Sequence, residues 1–155
     1  MEDANTDKTL NLDVFLPYQL AVLSEAVSRS MAQIYAQRFD LSRDEWRVLA
    51  ALQDEPPTRT ANVIEQTTLD KVSVSRAVKR MEEKALLERM TDPQDARGHL
   101  ICLTVAGRAL FRKIVPMVQA REQFLLEGLE ASERHALQSG IQKLLTRARQ
   151  LTQQG

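Results

Sequence analysis

Between Asp70 and Leu103 the hydrophobic period changes, and this limits the folds open to the chain more than any other feature. Val74, Val78 and Met81 recur at helical spacing with Ala77 beside them. Leu87 to Thr91 and Leu100 to Leu103 instead read as short strands. They flank the polar, turn-rich run Asp92-Pro93-Gln94-Asp95-Ala96-Arg97-Gly98. The expectation is a short helix from about Asp70 to Lys84 followed by a hairpin with a long tip.

Helical spacing governs the rest. Leu16, Leu20, Leu23, Val27, Met31, Ile34 and Tyr35 stripe a long helix from about Pro17 to Phe39, with the proline in its first turn. Ser42 with Glu45 three residues on is a capping box, opening a second helix to about Leu52. Pro56 and Pro57 stop it, and a third short helix follows near Thr60 to Gln66. After the hairpin, Thr104 caps a fifth helix from Ala106 to about Gly128, which Pro116 should bend, and Ser132 opens a sixth through Leu151.

The fold class is therefore mainly α: a winged helix-turn-helix with N- and C-terminal dimerisation helices and a small β-hairpin wing. The expected organisation is a flexible acidic N-terminus over residues 1–10, a winged DNA-binding domain over 41–103, and a helical dimerisation region built from 11–40 with 104–155. The first helix and the last two carry apolar stripes with no obvious local partner, which points to pairing with a second copy of the chain.

Composition narrows the function classes. The chain has 155 residues with one cysteine, so no internal disulfide can form, and a reducing cytoplasm suits it. No secretory leader is expected in the polar, acidic Met1 to Lys8, and no apolar run is long enough to span a bilayer. Lys plus Arg and Asp plus Glu are both 21, so net charge argues for no polyanionic partner and only its local distribution can. The segment from Lys71 to Lys84 holds Lys71, Arg76, Lys79, Arg80 and Lys84 against Glu82 and Glu83 alone.

Angular position on this helix separates two faces. Opposite the arc of Val74, Ala77, Val78 and Met81 lie Val72, Arg76, Lys79 and Glu83, flanked by Ser73, Ser75 and Arg80. Basic helix faces are often no more than solvated surface. Here, though, Val72 is an apolar residue with no local reason to face water, and a hairpin bearing Arg97 follows. Arg76 suits a base edge, Val72 a thymine methyl, and Ser73 or Ser75 bases and phosphates. Lys71, Lys79 and Arg80 suit phosphates and Arg97 an adjacent minor groove. Asp92-Pro93 should initiate the hairpin turn, with Asp95 holding the loop by pairing with an arginine.

Four segments in order carry a family resemblance: Leu41-Ser42-Arg43-Asp44-Glu45-Trp46-Arg47-Val48-Leu49, Asp70-Lys71-Val72-Ser73-Val74-Ser75-Arg76, Asp92-Pro93-Gln94-Asp95-Ala96-Arg97 and Leu103-Thr104-Val105-Ala106-Gly107-Arg108. The stretch from Leu41 to Leu110 resembles the MarR family of winged-helix transcription regulators. The resemblance implies a triangular homodimer on pseudo-palindromic double-stranded DNA, with one recognition helix per half-site. Two positions depart from the family pattern. Ala85 stands where glycine is usual, which disfavours a left-handed helix end. Ala96 replaces an arginine of the wing. Glu45 to Leu49, Asp70 to Val78 and Ile114-Val115-Pro116 are similar to the branch controlling catabolism of hydroxycinnamates and related aromatic acids. That implies a repressor released by an aromatic acid or its coenzyme A thioester.

A pocket in such an architecture would lie between the first helix, the winged domain and the fifth helix. Arg29, Met31, Tyr35, Arg38, Trp46 and Phe111 are its candidate lining, although the same residues also suit plain packing. Cys102 in Leu100-Ile101-Cys102-Leu103 reads as buried filler rather than a redox sensor. His99 and His135 are too few for a zinc site, and no metal or cofactor is expected. No phosphate loop or nucleophile motif supports an enzyme. The remaining alternatives are a winged-helix module that binds an acidic protein without DNA, or a regulator of this type answering a different signal.

Overall fold

Local chemistry sets the helix boundaries. In the computed structural model, which describes residues 10–54 and 56–154 (side chains of 96, 97 and 154 excepted), the first helix α1 spans Leu16–Phe39. The acidic N-terminus expected over residues 1–10 lies almost wholly outside the described residues. Helix α2 (Arg43–Ala51) opens on the anticipated capping box. The Ser42 hydroxyl accepts from the Glu45 amide at 3.1 Å, and the Glu45 carboxylate accepts from the Ser42 amide at 2.6 Å.

A two-residue strand β1 (Thr58–Arg59) leads into α3 (Thr60–Gln66), and α4 covers Lys71–Glu83. The wing is β2 (Leu87–Asp92) and β3 (Asp95–Leu103), followed by α5 (Val105–Leu126) and α6 (Ala131–Gln154). The sheet is antiparallel with order β1-β3-β2, so β3 is central. Helix α5 runs unbroken through Pro116.

Two compact units meet between Val115 and Pro116. The first has a continuous apolar core. Leu41, Val48, Leu49 and Leu52 from around α2 join Val63, the inward face of α4, and Leu87, Ile101 and Leu103 from the wing strands. Ile34 and Tyr35 at the end of α1 and Ile114 of α5 complete it. The N-terminal half of α1 is different: every residue from Leu16 to Ala26 is exposed, leucines included. In the second unit no described residue is buried at all, and Leu137, Ile141, Leu144, Leu145 and Leu151 of α6 lie open. No described helix is long and apolar enough to cross a membrane.

Candidate nucleic-acid interface

Helix α4 is built from its cap outward. Asp70 precedes it in extended conformation and accepts the Ser73 amide at 2.8 Å and the Ser73 hydroxyl at 3.2 Å. The Ser73 amide, above all, holds the Asp70 carboxyl below the usual carboxylate range. Val74, Ala77, Val78 and Met81 are buried, as the angular reading required. On the other side Lys71, Val72, Ser75, Arg76, Lys79 and Arg80 are exposed, Val72 to 57%. Ser73 is half-buried and its hydroxyl proton is given to Asp70, so Ser75 has the freer hydroxyl.

The charges on this face are arranged asymmetrically. Lys71, Arg76, Lys79 and Arg80 form no ion pair among the described residues. Glu82, by contrast, is neutralised by Arg89 of β2, whose Nε lies 2.8 and 2.9 Å from its two oxygens. Lys84 is turned away from the basic face. Its ammonium donates to the Asp40 carbonyl and lies 3.2 Å from the carboxylate of Glu45, which is 2% exposed. Four unpaired cations around one exposed valine make a surface suited to a polyanion with apolar groups between its charges.

The end of α4 corrects one expectation. Ala85 does adopt the left-handed conformation, at φ 56°. The Ala85 amide donates to Glu82 O at 2.9 Å and the Leu86 amide to Met81 O at 2.9 Å, the paired bonds of a Schellman motif. Thr104 secures it from the far side of the wing: its hydroxyl donates to Ala85 O at 2.7 Å and its amide to Leu86 O at 3.1 Å. These bonds outweigh alanine's reluctance, which is worth about 1–2 kcal/mol. Gly107 packs so tightly here that a Cβ would run into the Leu86 carbonyl oxygen. The residue needing to be glycine is thus on α5, not at the helix end.

The wing corrects another. Its turn is only Pro93-Gln94, with Asp92 paired to Asp95, and residues 95–98 belong to β3 rather than to a long loop. The register shifts by three residues between Thr91↔His99 and Asp92↔Asp95, displacing 96–98 from the ladder. Arg97 falls in this displaced stretch. Asp92 does initiate the turn, its Oδ1 accepting the Gln94 amide at 2.9 Å. It also takes an arginine: Arg59 donates to Asp92 Oδ2 from Nε at 2.9 Å and from Nη2 at 2.6 Å. The Gln94 amide first, and Arg59 second, hold the Asp92 carboxyl below its ordinary range.

Of the six candidate pocket residues, three come together. Trp46 is sandwiched between Tyr35 and Phe111, with ring centroids 5.5 and 5.8 Å apart and interplanar angles of 13° and 15°. Tyr35 is fully buried, and burial pushes its hydroxyl pKa up. Arg29 is instead exposed on α1, 3.3 Å from Glu25, and lines a separate open cleft of about 670 Å³ with Val22 and Gln33. On α1, Met31 is half-buried and Arg38 exposed. Another cleft, of about 660 Å³, runs along α2 to the α3–α4 turn past Trp46, Arg47, Gln53, Gln66 and Thr68. Cys102 is buried against Glu88 and Met90, and burial raises its thiol pKa, as suits filler.

A MarR-family model matches residues 39–98. The fold agrees over nearly the whole chain with a MarR/EmrR-family transcriptional regulator from Acinetobacter sp. ADP1, at TM-score 0.82 and 29% identity, over 91% of this chain and 99% of that one. Residues 39–98 are thus similar to the MarR family, and the fold is that of MarR-family winged-helix regulators. Among curated relatives, the HTH-type transcriptional repressor NicR of Pseudomonas putida is 28% identical over 126 residues, 80% of each chain. Bordetella bronchiseptica BpsR, whose DNA binding is regulated by 6-hydroxynicotinic acid, aligns at TM-score 0.79 and 26% identity over 88% of this chain and 96% of its own. The family is one of transcription regulators, not enzymes.

Three elements that position this candidate interface escaped the sequence reading. Strand β1 is too short to show a period. The Lys84–Glu45 and Arg59–Asp92 pairs join residues 39 and 33 positions apart. Only Asp92-Pro93 carried a local signal, and it announced a turn without its partner.

Proposed function

We propose that the chain is a homodimeric repressor that binds a pseudo-palindromic operator and is released by a small aromatic effector. What carries the reading is the outward face of α4, where Lys71, Arg76, Lys79 and Arg80, without an ion pair among the described residues, surround an exposed Val72. In this reading Arg76 takes a base edge, Val72 a thymine methyl, and Ser75 a base or phosphate. Lys71, Lys79 and Arg80 contact phosphates, Ser73 supports them from the cap, and Arg97 enters the minor groove.

Dimerisation is supported by the exposed leucines of α1 and by a second unit in which no described residue is buried. Such helices gain little stability until their apolar faces are covered, and a two-fold axis covers them with the same faces. The dimerisation arms proposed are residues 11–40 and 104–155 around a DNA-binding domain at 41–103. Relief by an aromatic acid is supported by the likeness to BpsR and by the Tyr35–Trp46–Phe111 stack beside Arg47. Arg29, Met31 and Arg38 of α1 remain candidates for the effector's other contacts. Release requires that the effector bind the DNA-competent state more weakly than the alternative.

Fluorescence anisotropy on the DNA upstream of the protein's own gene tests this, at two salt concentrations, against scrambled competitor, with a panel of aromatic acids and their coenzyme A thioesters. Specific, salt-sensitive binding abolished by one compound is the expected result. Trp46, the only tryptophan, should report the same compound by its emission. Binding no tighter than to scrambled DNA across a wider operator search would overturn the reading and favour a protein partner.

A further inference from the structure

The hairpin of a winged helix is useful only if its tip is held in a fixed relation to the recognition helix. In this chain the ladder does not do that alone. Strand β1 contributes two residues, Thr58 opposite Ile101 and Arg59 opposite Leu100, and its backbone pairs with the central strand β3, not with β2. The regular β2–β3 pairing ends at Thr91↔His99. Beyond it the displaced stretch 96–98 has no cross-strand partner in the ladder, so its position depends on what stands beside it.

Two carboxylates of the tip stand beside it, Asp95 and Asp92: a Cβ at Gly98 would lie 3.4 Å from the Asp95 carbonyl oxygen and Oδ2 and 3.5 Å from the Asp92 Cβ. Asp92 is 5% exposed although it sits at the hairpin tip. One of its oxygens closes the Pro93-Gln94 turn and the other receives two N–H groups from Arg59. Arg59 occupies the corner where β1 becomes α3, in extended conformation as the residue before the helix. Its side chain reaches from one edge strand to the end of the opposite edge strand, straddling β3. The pair therefore ties the hairpin turn to the first helix of the helix-turn-helix, not merely to its own strands.

We propose that Arg59, acting through Asp92, is a positioning residue for the wing, fixing the 96–98 stretch so that Arg97 meets the minor groove in register with α4. The inference rests on the DNA-binding reading for its consequence but not for its geometry. Lysine should not substitute, because a single ammonium cannot present two fixed N–H groups to one oxygen as a guanidinium does.

Two measurements on the full chain test it. Amide hydrogen exchange in the DNA-free protein should show protection of the Gln94 amide falling about tenfold in Arg59→Ala and Arg59→Lys, with Met81 and the rest of α4 unchanged. Operator affinity should fall about tenfold in Arg59→Ala and similarly in Arg97→Ala, and the double variant should be no weaker than the weaker single one. Unchanged exchange over 92–98 would overturn the proposal whether or not DNA binds. Additive losses in the double variant would overturn it too, since Arg59 would then act on DNA independently of the wing. A wild-type protein without specific DNA binding would strike the functional reading instead, leaving the exchange result to decide the geometry.

Discussion

Helix α4 and the wing that follows it face the same proposed partner, yet they are specified in different ways. On α4, each side chain's exposure follows from its angle on one helix: Val74, Ala77, Val78 and Met81 are buried and Val72, Arg76 and Lys79 are exposed. In the wing the decisive contact comes from Arg59, outside the hairpin altogether. A helix carries its own hydrogen bonds, so its faces are fixed by spacing; a hairpin tip must be fixed by neighbours. Substitutions on α4 should thus separate stability from binding cleanly, whereas those around the wing should mix them.

The largest effect that sharpens this contrast lies within α4. Met81→Ala should cost about 3 kcal/mol in denaturant unfolding, because it opens a cavity in a fully buried site. Val72→Ala should change stability by less than about 0.5 kcal/mol while weakening operator binding. Equal stability losses in the two would break the two-face description.

Next is the joint between helix and wing. Gly107→Ala should destabilise by about 2–3 kcal/mol, since the Leu86 carbonyl oxygen it would meet is fixed by its bond from the Thr104 amide. A melting temperature like that of the wild type would mean that α5 can shift away from Leu86 at little cost.

Binding variants come third. Arg76→Ala should lose about 1–3 kcal/mol on the operator and relax specificity. Lys79→Ala should weaken all sequences alike and reduce the salt slope by about 1. Identical losses on specific and random DNA for both would overturn the assignment of roles.

A smaller gain is expected at Ala85. Ala85→Gly removes the left-handed penalty and should raise stability by about 1 kcal/mol, read as a higher melting temperature.

The smallest effect is that of pH on the wing. Asp92 is held below its ordinary carboxylate range, so the stability it contributes is present above that range and lost as pH falls through the depressed value. Gln94 amide protection, corrected for the intrinsic pH dependence of exchange, should therefore be flat between about pH 5 and 8. A step within that window would contradict the paired state of Asp92.

The residues that were legible are those whose chemistry closes within one turn or one period. Ser42 and Glu45 revealed their capping box, Asp70 the start of α4, and Cys102 its burial in an apolar run. Ala85 was misread because residue preference alone argues against its conformation, while the bonds holding it come partly from Thr104, 19 positions away. The wing tip was misread because a polar, turn-rich run looks the same whether it forms a loop or a displaced strand.

By itself, then, the sequence determined the helices, the buried and exposed faces of α4, its basic character and the likeness to the MarR family. These depend on spacing, capping and composition, which are local properties. Only the tertiary structure decided that Lys84 turns inward to Glu45, that the aromatic rings stack on one another, and that Arg59 reaches across the sheet to Asp92. Each of these joins groups far apart in the chain, and the energy of such a contact exists only once the fold has brought its partners together.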